Sequence, residues 1–271
     1  MRKIFVVSRF SSKCVVIDGT LEETYKVRKS KSPSAIKIIN DVPILLDIEG
    51  THDITDGYLD HNKGIKCKYL DAHQLEEHLG DLVFCNTGDD SVRTTQMNLL
   101  YQPSFVNPKL ATDQCHLNGV HSFGNRLLVT CLSNVEPWRD NFNKGRIWFT
   151  DDEDKYGEVY IPHSPVVHDN NVYVLESGLS RLVKFDINLE NKTVVVDKLQ
   201  GFARGMVIVN DEVYIATSQL RKKSSFYNFI EDNASFHGNK CAIWKYNLKT
   251  KDLQMIKELN EITDISDIGV L

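Results

Sequence analysis

Short runs of apolar residues, rather than long amphipathic stretches, make up the hydrophobic pattern of this chain. The runs are rich in β-branched and aromatic residues, and Asn-Asp, Gly-Asn, Asn-Asn and Gly-Asp pairs typical of tight turns separate them. This pattern predicts strands over residues 3–8, 13–17, 42–47, 82–85, 126–131, 146–150, 171–175, 181–186, 193–196, 212–216 and 241–247. The spacing in residues 74–79 instead predicts one short helix. Short strands with such turns favour a β-sandwich or a radial repeat.

A motif of one polar residue followed by small and apolar residues recurs along the chain, and its spacing separates these two folds. Counting back nine residues from the first apolar residue of each second strand reaches Pro33, His73, Asn118, His163, Arg204 and, through the termini, Ser266. Most of the intervals are close to the roughly 40–45 residues of a four-stranded propeller blade. The one long interval contains a polar insertion, residues 221–240.

The sequence therefore predicts an all-β fold, a six-bladed β-propeller that forms a single domain over residues 1–271. The sixth copy of the motif is split, because residues 266–271 end the chain and residues 2–7 begin it. We expect the C-terminal strand to join the N-terminal blade and close the ring, which leaves only short, protected sheet edges.

The same count brings polar side chains from different blades to one end of the central channel, which we call the mouth. The first residue of each inner strand faces the axis, and so does the residue two positions earlier, because strand side chains alternate. The first ring contains His73, Asn118, His163, Arg204 and Ser266, and the second contains Asp71, His116, Ile161, Phe202 and Asp264.

Three histidines at one mouth indicate two kinds of chemistry. His73, His116 and His163 are candidate catalytic residues, since imidazoles transfer protons near neutral pH. The same three side chains are candidate ligands of a single divalent transition metal with an open coordination position. The sequence leaves both hypotheses open.

The candidate substrate-binding residues surround these histidines. Arg204 is expected to bind a carboxylate or phosphate through its planar guanidinium, and Asn118 is expected to orient the substrate. Ser266 and Asp264 enter the mouth from the split copy of the motif. Trp138 and Arg139 lie in a loop, where an exposed pair would cover a ligand and a buried pair would serve packing. The candidate substrate-binding residues are therefore Arg204, Asn118, Trp138, Arg139, Ser266 and Asp264.

Seven motifs resemble a bacterial conserved-hypothetical family known only as a domain of unknown function. They are Ala72-His73, Asn86-Thr87, the run from Cys115 to Gly119, Trp138-Arg139, the run from Pro162 to Pro165, the run from Glu176 to Gly178, and the run from Gly201 to Gly205. The family has His-Asp where this chain has His73-Gln74. Its similarity to propellers of the gluconolactonase and strictosidine-synthase type implies a fold but no reaction.

Composition narrows the class of partner. Formal net charge is −5, so nucleic acid is not expected as a partner. The six cysteines are far apart and form no CxxC pair, which indicates reduced, buried thiols. No apolar run approaches the ~20 residues of a membrane helix, and the N-terminal run is too short for a signal peptide. We expect a cytoplasmic protein without a membrane partner.

These observations favour an enzyme acting on a small polar, anionic substrate at the mouth. Hydrolysis, elimination and isomerisation all stay open, so the class is hydrolase, lyase or isomerase. Loops 93–114, 134–145 and 221–240 are candidates for a partial lid. The alternative is a non-catalytic propeller that binds a ligand or a protein, with residues 226–229 of the insertion 221–240 as the protein contact.

Overall fold

The computed structural model describes residues 2–11, 13–18, 21–26, 33–47, 50–55, 58–60, 71–110, 113–220, 230 and 238–271. Most of the predicted insertion 221–240, including the candidate protein contact at 226–229, lies outside the described residues. Cys67 lies outside them as well.

Strands account for most of the described chain. The first twelve are β1 (Lys3–Ser8), β2 (Lys13–Asp18), β3 (Leu21–Lys26), β4 (Ala35–Ile39), β5 (Val42–Asp47), β6 (Gly50–Thr55), β7 (Tyr58–Asp60), β8 (Ala72–His78), β9 (Asp81–Asn86), β10 (Ser91–Thr94), β11 (Leu99–Tyr101) and β12 (Leu117–Phe123). The others are β13 (Arg126–Cys131), β14 (Gly145–Phe149), β15 (Asp152–Val159), β16 (Pro162–His168), β17 (Asn171–Glu176), β18 (Arg181–Asp186), β19 (Thr193–Val196), β20 (Phe202–Val209), β21 (Glu212–Ser218), β22 (Ala242–Asn247), β23 (Leu253–Glu258) and β24 (Asp267–Val270). Short 3-10 helices lie at Thr87–Asp89, Trp138–Asp140, Phe142–Lys144 and Ser177–Leu179.

The described strands form six four-stranded sheets. Their strand orders are β24-β1-β2-β3, β4-β5-β6-β7, β8-β9-β10-β11, β12-β13-β14-β15, β16-β17-β18-β19 and β20-β21-β22-β23. The pairs are antiparallel, and in five of the sheets each strand pairs with the one before it along the chain. The predicted all-β class is confirmed.

One strand of each sheet, here called the inner strand, contacts inner strands of two other sheets. These strands are β4, β8, β12, β16, β20 and β24, and each contacts the next in this order, with β24 contacting β4. Residues from all six inner strands line one cavity of about 110 Å³. The sheets are therefore packed around a common centre.

The two ends of the chain meet in one sheet. β24 pairs with β1, with Ile4 opposite Val270 and Val7 opposite Asp267. Beyond this ladder, the backbone N–H of Ser266 donates to the carbonyl of Val7 at 2.7 Å. The split copy of the sequence motif thus corresponds to a real strand pairing.

Two-residue turns join several inner strands to the strands that follow them. Asn40 and Asp41 have φ of 48° and 63°, and Asp169 and Asn170 have φ of 45° and 58°. Two consecutive positive φ values define a turn whose twist matches that of the flanking strands, and Asn and Asp tolerate this conformation best. The Asn-Asp and Asp-Asn pairs therefore determine where these hairpins turn.

The predicted helix over residues 74–79 is wrong, because most of this segment belongs to β8. Its Gln-Leu-Glu-Glu-His composition favours a helix locally. Pairing with β9 overrides that preference, with Leu75 opposite Phe84 and Glu77 opposite Leu82, because the strand buries Leu75 in the core between sheets.

Within the central cavity, charged side chains satisfy one another. Glu76 accepts an ion pair from Lys37 at 2.5 Å and lies 3.1 Å from Nδ1 of His121. Burial alone would raise the pKa of Glu76, but His121 and Lys37 outweigh it and lower the pKa to about 2. The carboxylate therefore stays ionised, and the cluster serves to hold inner strands β4, β8 and β12 together.

Asp267, which lines the central cavity, makes the stability of the folded protein depend on pH. Burial raises its pKa to about 7, although N–H groups of Ile36 and Ile268 and the charge of Lys37 act against this and Glu76 adds to it. Between pH 3.8 and 7 the unfolded chain releases a proton that the folded chain keeps, so the free energy of unfolding falls as pH rises.

We expect Asp267→Asn, which resembles the neutral acid, to remove that dependence. Between pH 4 and 7 the wild type should lose up to about 4 kcal/mol relative to the variant, as measured by urea denaturation at each pH. Asp252→Asn, at an exposed position, is the control. Parallel pH profiles for the wild type and Asp267→Asn would contradict the assignment.

The described cysteines are buried and unpaired: Cys14, Cys85, Cys115, Cys131 and Cys241. Burial raises the pKa of Cys14 and of Cys241 to about 12, so these thiols are protonated and unreactive. In the described part of the chain, none of the helices has the length and apolar character needed to cross a bilayer.

Candidate functional site

A shared turn places the candidate residues at the start of four inner strands. The residue before each strand has positive φ: 57° at Asp71, 56° at His116, 51° at Ile161 and 124° at Gly201. This conformation is uncommon for residues other than glycine, and its repetition marks an equivalent position in each sheet. Two residues further along lie His73, Asn118, His163 and Ala203.

Arg204 is therefore one position further along its strand than the sequence count predicts, and Gly201 rather than Phe202 is equivalent to Asp71. The count assumes inner strands of equal length, but β20 has eight residues where β8, β12 and β16 have seven. The register shifts between Ala203 and Gly205, which places Arg204 in a bulge. A bulge redirects a side chain while the rest of the strand keeps its pairing.

The first cluster at the mouth joins two neighbouring sheets. Asp71, His73 and His116 each offer one ligand atom, and these atoms lie within 4.8 Å of one another. The rings of His73 and His116 are edge to face, with centroids 5.4 Å apart. Arg9, which directly follows β1, forms an ion pair with Asp71. A carboxylate, two imidazoles and a guanidinium thus meet at one point.

Burial and charge act in opposite directions in this cluster. Burial lowers the pKa of His73 to about 4, although Asp71 opposes this change. Burial would raise the pKa of Asp71, but His73, Arg9 and His116 outweigh it and hold the pKa below its usual range. At neutral pH the cluster therefore contains an ionised Asp71 and a neutral His73.

His116 is held from two sides. Its Nδ1 lies 3.0 Å from a carboxylate oxygen of Asp113, which also pairs with Arg139 at 3.5 Å. The ring of His116 packs against Trp138, with centroids 4.4 Å apart. The guanidinium of Arg139 lies over the ring of Trp138, 4.1 Å from its centroid. The orientation of His116 is therefore determined by Asp113 and Trp138.

Trp138 serves packing, which is one of the two alternatives that the sequence left open. Its exposed fraction is 4%, and it packs with Leu132, Phe142, Ile161, Phe202 and Ile230. Only Arg139 is open to solvent, with 58% of its side chain exposed. Trp138 is thus part of the wall behind His116, and Arg139 is the member of the pair that a ligand can reach.

Hydrogen bonds define the tautomer of His163. Ser177 donates its hydroxyl proton to the carbonyl of Ala203, so it must accept from Nδ1 of His163 at 2.8 Å. This assigns the ring proton to Nδ1 and the lone pair to Nε2. Burial lowers the pKa of His163 well below its ordinary value, and the charge of Arg204 lowers it further. Phe202 packs edge to face on the ring at 5.6 Å.

The structure gives Asn118 protein partners at both ends of its amide. Nδ2 donates to the carbonyl of Pro162 at 2.7 Å, and Oδ1 accepts from Thr130 at 3.0 Å. Asn118 thus links two neighbouring sheets, a role that resembles that of Thr87, whose hydroxyl donates to the carbonyl of Leu117 at 2.6 Å.

Ser266 and Asp264 bind the segment that follows β1. The backbone N–H of Arg9 donates to Oγ of Ser266 at 3.1 Å. Asp264 accepts from the hydroxyl of Ser8 at 3.0 Å and from the N–H of Phe10 at 3.2 Å. Both side chains therefore position Arg9 at the mouth.

Two of the three predicted metal ligands, His73 and His116, belong to the cluster of neighbouring donor atoms, together with Asp71. His163 is not a member of that cluster. Sequence reasoning missed Arg9, Asp113 and Ser177. The signals for them were present, since Arg9 and Ser177 directly follow the second strands of their sheets and Asp113 lies three residues before His116.

The predicted lid loops differ from one another. Residues 93–114 include the end of β10 and all of β11, so part of this segment is sheet. Residues 134–145 contain the two 3-10 helices that hold Trp138 beside His116. The third loop, 221–240, lies mostly outside the described residues.

A second cavity, of about 680 Å³, lies between the sheet that contains β1 and the sheet that contains β21. Arg2, Glu212, Tyr214 and Lys245 are among its lining residues. Glu212 accepts from Tyr214 at 2.8 Å and pairs with Lys245 at 2.9 Å. The hydrogen bond and the ion pair thus satisfy Glu212 within this cavity. The mouth instead contains buried imidazoles, which can transfer protons or bind a ligand, so we place the candidate site at the mouth.

Sheets packed through their inner strands around a common centre, with a polar cluster at one end, define a β-propeller. A chain in the crystal structure of a nidogen/laminin complex has a similar fold, with a TM-score of 0.68 and 11% sequence identity, over 100% of this chain and 98% of that chain. At this identity the likeness concerns the fold alone, and it confirms the predicted propeller class.

Residues 31–271 match the family described as a domain of unknown function, DUF4915, and the chain belongs to that family. The resemblance to a family of unknown function is thereby confirmed. None of the curated proteins matches the chain.

Proposed function

We propose that this propeller is an enzyme that acts on a small anionic substrate at the mouth through proton transfer. The observation that carries the proposal is His163, a buried and neutral imidazole whose proton is assigned to Nδ1. Such a group accepts a proton at Nε2, which is what a general base in hydrolysis, elimination or isomerisation has to do.

The surroundings of His163 support the role of a base. Ser177 fixes the tautomer and the ring orientation, as the third member of a base-orienting arrangement does in other enzymes. Arg204 is close enough to lower the pKa of His163. An anionic group bound by Arg204 would therefore lie near the base, with its charge neutralised before proton transfer.

The positions of two arginines around the mouth support an anionic substrate. Arg204 and Arg139 approach it from different sheets, and Arg139 is largely exposed beside the ring of Trp138. Arginine binds carboxylate and phosphate groups through paired N–H donors. We propose Arg204 as the anchor of the anion and Arg139 as a second contact at the rim.

We further propose that the six sheets are the six blades of one ring, which β24 closes by pairing with β1. The cyclic order of inner-strand contacts supports this architecture, as does the cavity lined by all six inner strands. The ring would bring side chains from distant parts of the sequence, such as Arg9 and His116, to a single mouth.

We also propose a cytoplasmic location, because the described cysteines are buried and unpaired. The expected partner is a small molecule rather than nucleic acid or a membrane. A protein contact through loop 221–240 remains a proposal from the sequence.

A thermal-shift panel of phosphorylated acids, lactones, sugars and nucleotide sugars tests the anion site. We expect anions to stabilise the wild type: at 100 times Kd, binding adds about 2.7 kcal/mol, which corresponds to several degrees in Tm. Arg204→Gln should weaken binding of these anions about 10- to 100-fold.

Arg126→Gln is the matched control, because Arg126 pairs with Asp151 at the far end of its sheet. Equal stabilisation by neutral sugars and anions, unchanged in Arg204→Gln, would contradict the anion site.

A further inference from the structure

We propose that Asp71, His73 and His116 form a binding site for one divalent transition metal, with Asp113 orienting His116. Their donor atoms lie within 4.8 Å of one another. This adds a cofactor to the mouth, and it rests on the proposed function only for what the metal would do there. Its binding is testable without turnover.

The spacing of the donor atoms fits one ion. Ligands at about 2.1 Å from a tetrahedral metal lie roughly 3.4 Å apart. Nε2 of His73 and Oδ1 of Asp71 are 3.7 Å apart, which is too long for a hydrogen bond. Small inward movements of these side chains would bring both atoms into the coordination distance.

His73 provides an independent observation. Its exposed fraction is 6%, and its buried Nε2 has no hydrogen-bond partner among the described residues. A buried polar atom without a partner costs free energy, so this position calls for a group that accepts the lone pair. A metal ion held jointly with Asp71 satisfies that need.

His116 has the outer-shell partner that metal-ligating histidines commonly have. Asp113 occupies Nδ1 at 3.0 Å, which leaves Nε2 as the ligand atom. A carboxylate on the second ring nitrogen fixes the tautomer and makes the ligand more basic. Arg139 in turn pairs with Asp113 at 3.5 Å, so the orienting carboxylate is itself held.

Two imidazoles and one carboxylate form a borderline donor set that suits zinc, iron(II) or cobalt(II) better than magnesium or calcium. Three protein ligands leave a coordination position open for water or substrate. Arg9 pairs with the same Oδ1 of Asp71 that lies nearest to His73, so a bound metal would share this carboxylate with the guanidinium.

Titration of tag-free, chelator-stripped protein with cobalt(II) alone tests the site. We expect binding of one equivalent, with visible absorption bands of nitrogen- and oxygen-ligated cobalt. His73→Phe should abolish these bands, and Asp113→Asn should weaken binding about 10- to 100-fold. His163→Asn should bind cobalt as the wild type does, because His163 is not in the cluster.

Uptake below about 0.1 equivalent by the folded wild type would overturn the site. Loss of binding in His163→Asn with retention in His73→Phe would also overturn it, in favour of a different ligand set. If His73→Phe fails to fold by circular dichroism, the comparison of Asp113→Asn with His163→Asn decides. Because cobalt uptake is measured without a substrate, failure to bind cobalt overturns the metal site and leaves the proposed function standing.

Discussion

Replacing His163 with Asn is expected to reduce turnover of a substrate at the mouth by about 10²- to 10⁴-fold, the usual contribution of a general base. The Asn side chain can still donate to Ser177 in place of Nδ1, but it has no counterpart of Nε2. Binding of the anion at Arg204 should change little, so kcat should fall far more than KM rises.

The design of this variant follows from burial. His163 is almost fully buried and packs against Phe202, so Ala would leave a cavity and remove the hydrogen-bond donor to the Ser177 oxygen. The loss of stability would then be mixed with the loss of catalysis. His168→Asn is the matched control, because His168 is the last residue of the same strand, β16. Unchanged turnover in His163→Asn would reject His163 as the base.

Replacing Trp138 with Ala is expected to cost about 3–5 kcal/mol of unfolding free energy, the range for removing a large buried aromatic side chain. Trp138 fills the space between Leu132, Phe142 and Ile161 and supports the ring of His116. Urea denaturation of variant and wild type measures the difference.

Trp138→Phe is the informative control for this site. Nε1 of Trp138 has no hydrogen-bond partner among the described residues, so Phe removes an unsatisfied N–H while it keeps most of the aromatic contact. We expect it to cost far less than Ala does. A loss below about 1 kcal/mol for Trp138→Ala would mean that the loop is a mobile cover rather than a wall.

Much of the fold could be predicted from the sequence, because the residues that mark turns and strands act locally. Asn-Asp pairs mark the turns, and β1 begins and ends where the apolar run predicts. The segment at 74–79 was predicted wrongly because its helical preference is local while its pairing with β9 is not. Strand pairing of that kind depends on distant residues that no short window contains.

The candidate site could be predicted only where the count of nine residues back from each second strand reaches equivalent positions. His73, His116 and His163 reach the mouth because their strands have equal length and a common preceding turn. Arg204 is displaced because β20 is one residue longer than β8, β12 and β16. Arg9, Asp113 and Ser177 lie at positions that the sequence pattern marks, but their supporting roles become visible only in their contacts.

We propose that the mouth carries out a reaction and does not merely bind a ligand. Mass spectrometry of each stabilising anion, incubated with wild type and with His163→Asn, tests it most directly. We expect at least one anion that the wild type converts and that the variant leaves unchanged. Anions that bind through Arg204 yet emerge unaltered from the wild type would contradict it and identify a binding propeller.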